Sequence, residues 1–419
     1  MALIKQSSEG RIENLIPLRY SRMLESPFAF FRGSAIVQGA DLGRTPASGI
    51  KVQACGDAHL MNFGGFATPE RDLIFDLNDF DETFPAPWEW DVKRLCASVV
   101  IAARWRGFSE NEAHETATAT AARYREMMNT YADMPMMAVW YSRLSYDSIR
   151  KQLKRNPKLE QLVAEDIKRA QNSTAEHVYN KIATHQNGAV RIVDEPPLLF
   201  HVDADLKEHG QAFLRRYSAT LREDYRVLFD RFRLADAALK VVGVGSVGTR
   251  CYIALLLDEH DAPLFLQIKE ACASVLEQHH GPSPWKQNGE RVVAGQRLMQ
   301  AASDIFLGWA RGPTGRDFYV RQLRDLKLSA QLERYDPTMF TLYVELCGQA
   351  LARAHAKAGQ APTIAGYLGK SPAFDEAITK YAVGYADQVE RDYETFRTAA
   401  RDGIIATETR GSLTETMIH

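Results

Sequence analysis

Cysteine is scarce in this chain of 419 residues and occurs in none of the patterns typical of metal sites or disulfide frameworks. The five cysteines are far apart and include no C-x-x-C pair; they are Cys55, Cys96, Cys251, Cys272 and Cys347. Scattered cysteines are typical of proteins in a reducing compartment. Because the first residues also lack the apolar core of a signal peptide, we expect a cytoplasmic protein whose cysteines have no catalytic role.

Long apolar runs and an excess of charge of one sign are missing as well. No run approaches the roughly 18 apolar residues that a membrane-spanning helix requires, and a formal net charge of -2 offers no electrostatic footprint for nucleic acid. We therefore expect neither a membrane nor a nucleic acid as partner, and the sequence does not predict the oligomeric state. Apolar residues make up 45% of the chain and charged residues 25%, as in ordinary globular proteins. The length predicts about two domains or lobes.

Two neighbouring stretches contain polar residues at a spacing that suits phosphoryl transfer. Residues 55–64 include Asp57 and Asn62, and residues 73–81 place Asp76 at the end of a strand-like apolar run. Phosphoryl transfer needs a carboxylate that accepts the proton of the attacking hydroxyl, and an amide and a second carboxylate that hold Mg²⁺ against nucleotide phosphates. We therefore predict Asp57 as the catalytic base and Asn62 and Asp76 as metal ligands.

A glycine-rich stretch later in the chain contains Gly243, Gly245, Ser246 and Gly248. The G-x-G-x-x-G pattern alone is weak evidence, because it is common by chance. In dinucleotide-binding folds the glycines lie between a strand and a helix, whereas here a strand-like segment, residues 251–257, follows them. The context favours a glycine-rich hairpin that covers nucleotide phosphates.

Lys269 ends the third strand-like segment of this region. A lysine at this place can bind the α- and β-phosphates of a nucleotide, and it needs an acidic partner to hold it. We predict Glu290, in the next predicted helix, as that partner, with Glu277 as the reserve. The alternative is that Lys269 and Glu270 form a surface pair at the end of the strand.

Three further residues near these motifs are candidate contacts for a phosphate or a substrate: Arg32, His59 and Asp79. Arg32 belongs to an aromatic stretch, residues 26–34, that alternatively forms only a packed turn. His59 alternatively serves only to orient its loop by hydrogen bonds. A second alternative is that Asp57 and His59 are paired ligands of a metal hydrolase, although no histidine-rich companion motif accompanies them.

Hydrophobic periodicity predicts an α+β protein with a small antiparallel sheet and a large helical part. Short strands are predicted at 50–54, 72–77 and 305–310, and a small hairpin or irregular insertion at 191–202. Helices are predicted at 11–24, 91–105, 109–131, 289–302, 343–358 and 373–400. Ser109 and Glu112 form a capping-box pattern at the start of the third of these helices. Asp91, at the start of its helix, is predicted to brace the loop that contains Asp57. The sequence divides into a helical lobe at 1–236, a sheet lobe at 237–330 and the remaining helices at 331–419.

The motifs resemble those of the aminoglycoside- and choline-type phosphotransferases in the protein-kinase-like superfamily. Residues 56–62 (G-D-x-H-x-x-N) are similar to the catalytic loop, and residues 75–77 (F-D-L) to the metal-binding acid at the end of a strand. Residues 243–248, Lys269 and Glu290 resemble the glycine-rich loop, the third-strand lysine and the helix-C glutamate. The resemblance implies a two-lobed kinase-like fold, with ATP and Mg²⁺ as cofactors.

The order of these motifs is inverted, because in such kinases the glycine-rich loop and the lysine precede the catalytic loop. Residues 348–355 resemble the helix that ordinarily leads directly into the catalytic loop, so a circular permutation accounts for the order. Two departures from the kinase pattern are Cys55, where a histidine is usual, and Leu77, where a phenylalanine is usual. Over residues 22–403 the chain also resembles a bacterial family catalogued as domain of unknown function 2252.

The function implied by the kinase-like resemblance is ATP- and Mg²⁺-dependent transfer of a phosphoryl group to a hydroxyl, most simply that of a small molecule. Two alternatives remain open. The chain would be a nucleotide-binding regulatory protein without catalysis, or it would transfer AMP to a protein. The acceptor itself is not predicted, because acceptor pockets in such folds are built from variable helices and loops.

Overall fold

The protein is a mixed α+β structure, with 52% of its residues helical and 17% in strands. The computed structural model describes residues 1–154, 156–171, 179, 181–186, 189–201, 206–323 and 327–408. The α-helices are α1 (Ala2–Gln6), α2 (Ile16–Met23), α3 (Pro27–Gly33), α4 (Ala35–Leu42), α5 (Trp88–Trp105), α6 (Glu110–Ala132), α7 (Met136–Tyr141), α8 (Tyr146–Leu153), α9 (Pro157–Gln171), α10 (Leu206–Ser218), α11 (Glu223–Phe229), α12 (Glu277–His280), α13 (Asn288–Met299), α14 (Pro337–Ala358), α15 (Ala361–Leu368) and α16 (Ala373–Arg401). The strands are β1 (Lys51–Ala54), β2 (Phe63–Ala67), β3 (Leu73–Leu77), β4 (Phe84–Pro87), β5 (Leu144–Ser145), β6 (Ala183–Gln186), β7 (Ala189–Ile192), β8 (Leu199–Phe200), β9 (Arg233–Lys240), β10 (Cys251–Leu257), β11 (Pro263–Glu270), β12 (Gly308–Arg311), β13 (Asp317–Gln322) and β14 (Leu328–Ser329).

The largest sheet is antiparallel and has six strands in the order β12-β13-β11-β10-β9-β8. Its central strand β10 is apolar along its whole length, because both faces of the sheet are covered. Leu256 packs in one hydrophobic cluster with Phe213 and Tyr217 of α10. Leu255 and Leu257 point to the other face and pack in a separate cluster. The period-2 alternation of side chains along a strand thus supplies both covered faces.

A second antiparallel sheet of four strands, in the order β14-β2-β3-β5, lies on the helical part of the fold. Of the acidic residues that the sequence singled out, Asp57 lies in the loop before β2, Asp79 lies in the loop after β3, and Asp76 lies on β3 itself. Strands β1 and β4 form a separate antiparallel pair. Because β1 leads into the first of these loops and β4 follows the second, the two loops begin and end on hydrogen-bonded strands.

The helical core is built around α5, which is buried along most of its length. It packs against α6 and α16, and α14 packs along α6. Trp88, at the start of α5, stacks on Tyr124 of α6 with 5.6 Å between the ring centroids. The predicted capping box is confirmed: Ser109 accepts the Glu112 N–H, and the Glu112 carboxylate accepts the Ser109 N–H.

Several predicted boundaries differ from the structure. The six-stranded sheet begins before the predicted range 237–330, since β8 and part of β9 precede residue 237. Strand β14 lies inside that range but pairs with β2 of the other sheet. The predicted strand at 305–310 is displaced to β12. Of the predicted hairpin at 191–202, residue 202 lies outside the described residues, and β7 and β8 pair with different strands.

The aromatic stretch that was predicted as a packed turn is a helix, α3. Ser26 caps it by accepting the N–H of Ala29 at 3.0 Å, and Pro27 occupies the first helical position, where its missing N–H costs nothing. Among the described residues, every helix is either too short or too polar to span a membrane.

Candidate active site

A polar cleft brings together residues that are far apart in the sequence. It lies among the loops beside β2 and β3, the turn between β9 and β10, and the N-terminal helices. The predicted site residues that line it are Arg32, Asp57, His59, Asn62, Asp79, Gly243, Gly245 and Ser246. Its volume of about 170 Å³ is below the roughly 300–1,000 Å³ of pockets that bury a whole drug-sized ligand. The cleft therefore suits a small polar group or the polar end of a larger molecule.

Asp91 of α5 binds the backbone of the loop that contains Asp57. The Asp91 carboxylate accepts the backbone N–H of Cys55 at 2.6 Å and that of Gly56 at 2.9 Å. Nε2 of His355 lies 3.1 Å from the same carboxylate, and Nδ1 of His355 lies 2.8 Å from the hydroxyl of Tyr124. Asp91 thus braces the loop, as predicted, and α14 and α6 brace Asp91.

Gly56 is required by the shape of this loop. Its φ of 85° lies in the left-handed region, where L-residues with a side chain are strained. A Cβ atom at this position would also lie 2.1 Å from the carbonyl oxygen of Glu82. Only glycine lets the loop approach the segment after β3 so closely, and this approach places Asp57 beside the acidic residues of that segment.

Asp57 faces the cleft with one carboxylate oxygen already engaged. Oδ1 accepts a hydrogen bond from Nε of Arg94 at 2.7 Å, and Arg94 is fixed in turn by Gln38 and the carbonyl of Phe31. Oδ2 lies 3.8 Å from Nε2 of His59, which is too far for a hydrogen bond. The arrangement fixes the carboxylate through Oδ1 and leaves Oδ2 outside this hydrogen bond.

Asn62 is oriented by the same loop. Its Nδ2 donates to the carbonyl oxygen of Asp57 at 2.6 Å, and its backbone N–H donates to the carbonyl of His59 at 2.9 Å. Because the amide nitrogen is engaged, the side-chain oxygen of Asn62 is the atom left to bind a cation. Burial lowers the pKa of His59 to about 4, so His59 is neutral near pH 7 and does not neutralise Asp57.

Asp76 does not face the cleft. Its side chain lies on the same side of β3 as that of Ile74, toward the core. Both carboxylate oxygens accept from Nη2 of Arg353 on α14, at 2.9 and 3.0 Å. Both side chains are 0% exposed, and Oδ2 of Asp76 also accepts the N–H of Ala301. The structure therefore gives Asp76 a structural role in place of the predicted metal-binding one, because the strand's alternation turns its side chain toward the core.

Asp79 and Asp81, just beyond β3, line the cleft instead. Nζ of Lys269 lies 3.5 Å from Oδ2 of Asp79 and forms a second ion pair with Asp81. The hydroxyl of Tyr319, on the strand next to Lys269, donates to Asp81 at 2.9 Å. The lysine of the large sheet is thus joined directly to the acidic loop of the smaller one.

Charges in this group set its protonation. Burial alone would raise the pKa of Asp79, but Lys269 and Arg321 outweigh it and hold that pKa below its usual range. Burial and the neighbouring Asp79 raise the pKa of Asp81. For Lys269 burial lowers the pKa, but the two aspartates raise it overall. Asp79 and Lys269 are consequently both charged near pH 7.

The predicted partners of Lys269 lie elsewhere. Among the residues that the structure describes, Lys269 has ion pairs with Asp79 and Asp81 only, so the predicted pair with Glu290 is not formed. The carboxylate of Glu277 accepts the N–H of Ser283. The surface-pair alternative also fails, because Lys269 is only 3% exposed. The nearer aspartates occupy the position that the sequence assigned to a glutamate of α13.

Helix α13 contributes an arginine to the site in place of that glutamate. Arg291 is buried and donates to the carbonyl oxygens of Asp81, Thr83 and Cys272. Arg321 donates to the carbonyl of Asn78 at 3.0 Å. These bonds hold the backbone of the acidic loop in place from the side of the large sheet.

The glycine-rich turn joins β9 to β10 at the edge of the cleft. Gly243 and Gly248 have φ values of 64° and 86°, which favour glycine at both ends of the turn. Gly245 lies close to the backbone of Arg32, whose carbonyl oxygen would be 3.2 Å from an added Cβ. The prediction of a glycine-rich turn between two antiparallel strands is confirmed.

Several cleft residues were missed by the sequence reasoning. Asp79 was predicted only as a contact for a phosphate or a substrate, and Asp81 was not predicted, although residues 79–81 (D-F-D) follow the D-F-G pattern of kinases more closely than Asp76 and its neighbours do. Glu82 belongs to the same acidic stretch. Arg11 and Arg19, from the N-terminal segment, gave no signal, because only tertiary structure brings them to the cleft.

The side chains of the cleft offer oxygen ligands, which suit some metal ions better than others. In the described residues, no group of three or more His, Cys, Asp and Glu side chains is arranged to hold a metal ion by itself. Magnesium differs from zinc in this respect, because it commonly binds one or two carboxylates together with waters and substrate phosphates. Asn62, Asp79 and Asp81 offer only oxygen atoms, which suits Mg²⁺.

Comparison with known proteins identifies one family. The family model described as an uncharacterized protein conserved in bacteria (DUF2252) matches residues 11–399. No curated protein matches the chain. No solved structure matches it either. The family match spans every residue that lines the cleft except Ser7.

Proposed function

The chain belongs to this bacterial family of uncharacterized proteins, DUF2252, and we propose that it is an ATP- and Mg²⁺-dependent phosphotransferase that acts on a hydroxyl of a small molecule. The observation that carries the proposal is the ion pair between Lys269 and Asp79 at 3.5 Å. It joins the proposed phosphate-binding lysine of one sheet to the proposed metal-binding loop of the other, and Asp79 of that loop lines the cleft. Asp57 and Asn62 line that same cleft.

The residues have distinct roles in the proposed reaction. Oδ2 of Asp57 accepts the proton of the acceptor hydroxyl while the hydroxyl oxygen attacks the terminal phosphorus of ATP. The bond between that phosphorus and its bridging oxygen breaks, and ADP leaves. Lys269 holds the phosphates that do not react, and the backbone of residues 243–248 covers them. Arg94 keeps the Asp57 carboxylate oriented throughout.

Magnesium fits the residues present. Asn62 and Asp79 would hold it, with Asp81 as a further oxygen donor, and Asp79 is ionised because Lys269 and Arg321 lower its pKa. Bound Mg²⁺ would supply neutralisation of the phosphate charge. Its binding would require Lys269 to exchange part of its contact with the two aspartates for contact with phosphate oxygens.

The proposal includes a permuted kinase-like fold. Two arrangements support it. The glycine-rich turn and Lys269 lie on three consecutive antiparallel strands, and the end of α14 packs against β1, which leads into the loop of Asp57. A Cβ atom on Gly359, just after α14, would lie 2.5 Å from Val52 of β1. The helix that precedes the catalytic loop in kinases would thus still lie beside it, although the connection is cut.

The proposed setting is the cytoplasm, with a small hydroxyl compound as acceptor. All five cysteines are free, as expected in a reducing compartment. The cleft volume of about 170 Å³ suits the phosphates and the reacting hydroxyl, so that the adenosine part would lie toward the open side.

Product analysis tests the proposal. The full chain would be incubated with Mg·ATP and a pooled extract of small hydroxyl compounds, and ADP, AMP and new phosphate esters would be measured by mass spectrometry. We expect ADP and a phosphate ester, both abolished in Asp57→Asn and both retained in the surface variant Arg397→Gln. Release of pyrophosphate, measured in the same way, together with an AMP-modified protein would favour nucleotidyl transfer. Nucleotide binding without any product, over a broad set of acceptors, would favour a regulatory protein.

A further inference from the structure

The N-terminal segment, residues 1–24, forms one wall of the cleft. Three of its groups bind carbonyl oxygens of the glycine-rich turn: the N–H of Ile12 donates to Gly248 at 2.8 Å, and Nη1 of Arg11 donates to Val247 at 2.6 Å. The third is Arg22, which donates to the carbonyl of Gly243. The segment is therefore attached to the turn that would cover the phosphates.

Arg19 of this segment carries a buried charge without an acidic partner. It lines the cleft although it is only 1% exposed. Its guanidinium donates to the hydroxyls of Ser7 and Ser8 and to the carbonyl of Gly33, all uncharged oxygens, and no described group accepts from its Nε. Arg94, by contrast, pairs with Asp57. A buried cation without a counter-charge is costly, and an anionic ligand would remove this cost.

Two more arginines line the cleft. Arg11 belongs to the same N-terminal segment and Arg32 to α3, and both border the cleft together with the hydroxyl side chain of Ser7. Burial lowers the pKa of Arg19 to about 9, and the positive charge of Arg11 contributes to that shift. The positive charges of Arg11 and Arg19 thus repel each other.

We propose that Arg11, Arg19 and Arg32 form an anion subsite in the cleft that binds a phosphate-type oxyanion. Arginine suits this ligand, because its planar guanidinium can donate two parallel hydrogen bonds to one phosphate group. The carboxylates that also line the cleft, Asp57, Asp79, Asp81, Glu82 and Glu270, repel an anion, so the arginines are the groups in the cleft that would bind it.

The subsite deepens the proposed function and rests on it for the source of the anion. If the cleft binds ATP, the oxyanion is either the terminal phosphate of the nucleotide or an anionic group of the acceptor. The first source gives the arginines contact with the reacting group. The second makes the acceptor a compound that carries both a hydroxyl and a phosphate or carboxylate.

Calorimetry with inorganic phosphate and pyrophosphate tests the subsite on the full chain. We expect both probes to bind the wild type, and Arg11→Gln to weaken binding at least tenfold. Arg397→Gln, a change at a 62% exposed arginine of α16, should have no effect. Arg19 is buried, so replacement by glutamine would remove a charge and also disturb the core. The companion variant is therefore Arg19→Lys, which keeps the charge. Thermal unfolding confirms that each variant is folded.

Competition then separates the two sources. If the terminal phosphate of ATP occupies the subsite, a non-hydrolysable ATP analogue displaces the probes, and Arg11→Gln weakens binding of ATP but not of AMP. If the subsite serves the acceptor, the probes still bind when the analogue saturates the cleft, and Arg11→Gln still weakens them. Either result supports the subsite.

Two results would overturn it. One is that neither probe binds the wild type; the other is that folded Arg11→Gln binds the probes and ATP as the wild type does. The failure of the subsite is distinguishable from that of the proposed function. Probe binding without nucleotide binding refutes only the phosphotransferase, whereas ATP binding that depends on Lys269 but not on Arg11 refutes only the subsite.

Discussion

Nζ of Lys269 and Oδ2 of Asp79 lie 3.5 Å apart, beside a cleft that Asp79 lines and that distant parts of the chain form together. The lysine belongs to the six-stranded sheet, and the aspartate follows β3 of the four-stranded sheet. Both groups are charged near pH 7, because each shifts the other's pKa toward the charged form. The side chain of Lys269 is 3% exposed and that of Asp79 is 32% exposed, so the aspartate remains open to a cation from the cleft.

Asp76 and Asp79 should respond differently to replacement by asparagine. Asp76→Asn leaves Arg353 buried without a counter-charge and should lower the free energy of unfolding by roughly 3 kcal/mol. Asp79→Asn should change stability little. Urea unfolding measures the first effect. At a temperature where both variants are folded, Asp76→Asn should keep its Mg²⁺-dependent ATP affinity within about threefold. If Asp76→Asn lost this affinity and Asp79→Asn kept it, Asp76 would be the metal ligand.

Asp57→Asn should separate binding from turnover. The amide keeps an oxygen for the hydrogen bond from Arg94 but cannot accept a proton, so ATP should bind nearly as tightly while turnover falls by at least about 100-fold. Isothermal calorimetry and ADP release on one preparation provide the two readings. Unchanged turnover would exclude Asp57 as the base.

The acidic side chain next to the cleft should make stability depend on pH. Burial raises the pKa of Glu82 from its ordinary 4.5 to about 7 in the folded chain. Its contribution to stability is therefore full below about pH 4.5 and is lost as the pH rises through 7. Glu82→Gln, which can still accept the N–H of Val275, should become more stable than the wild type by on the order of 2–3 kcal/mol between pH 4.5 and 7.5.

This comparison is made in metal-free buffer, by urea unfolding of both proteins at several pH values. A constant difference between Glu82→Gln and the wild type across that range would show that Glu82 is ionised in the folded chain.

Gly56→Ala should be far more damaging than alanine at a glycine with the same backbone but open surroundings. Gly56 and Gly107 have φ values of 85° and 77°, so both substitutions cost about 1–2 kcal/mol of backbone strain. Only at position 56 would the new Cβ meet a carbonyl, that of Glu82 at 2.1 Å; at Gly107 no atom of the described residues lies within 4 Å. Thermal unfolding should show a larger loss for Gly56→Ala, and equal losses would contradict the described loop.

Much of the secondary structure could be predicted from the sequence, because local signals determine it. The capping box at Ser109, the continuous apolar run of β10 and the glycines around Ser246 each have a short-range physical cause. The α+β class was predicted for the same reason. The helix α3 was missed, since its aromatic residues obscured the Ser26 cap and the proline that follows it.

The site could be predicted only in part, because contacts between distant residues decide it. Asp76 satisfies the local pattern of a metal-binding acid, but Arg353, 277 positions later in the chain, holds it in the core. Glu290 satisfies the spacing of a lysine partner, yet two aspartates that precede Lys269 by almost 190 residues lie nearer. The arginines of the N-terminal segment had no local signal at all.

Calorimetric titration of the wild type with Mg·ATP, repeated on Lys269→Met and Asp79→Asn, tests the central claim most directly. The account predicts binding in the micromolar range that requires Mg²⁺, and a loss of at least tenfold, about 1.4 kcal/mol, in each variant, with Arg397→Gln unchanged. Absence of binding by the wild type, or binding that neither variant weakens, would contradict it.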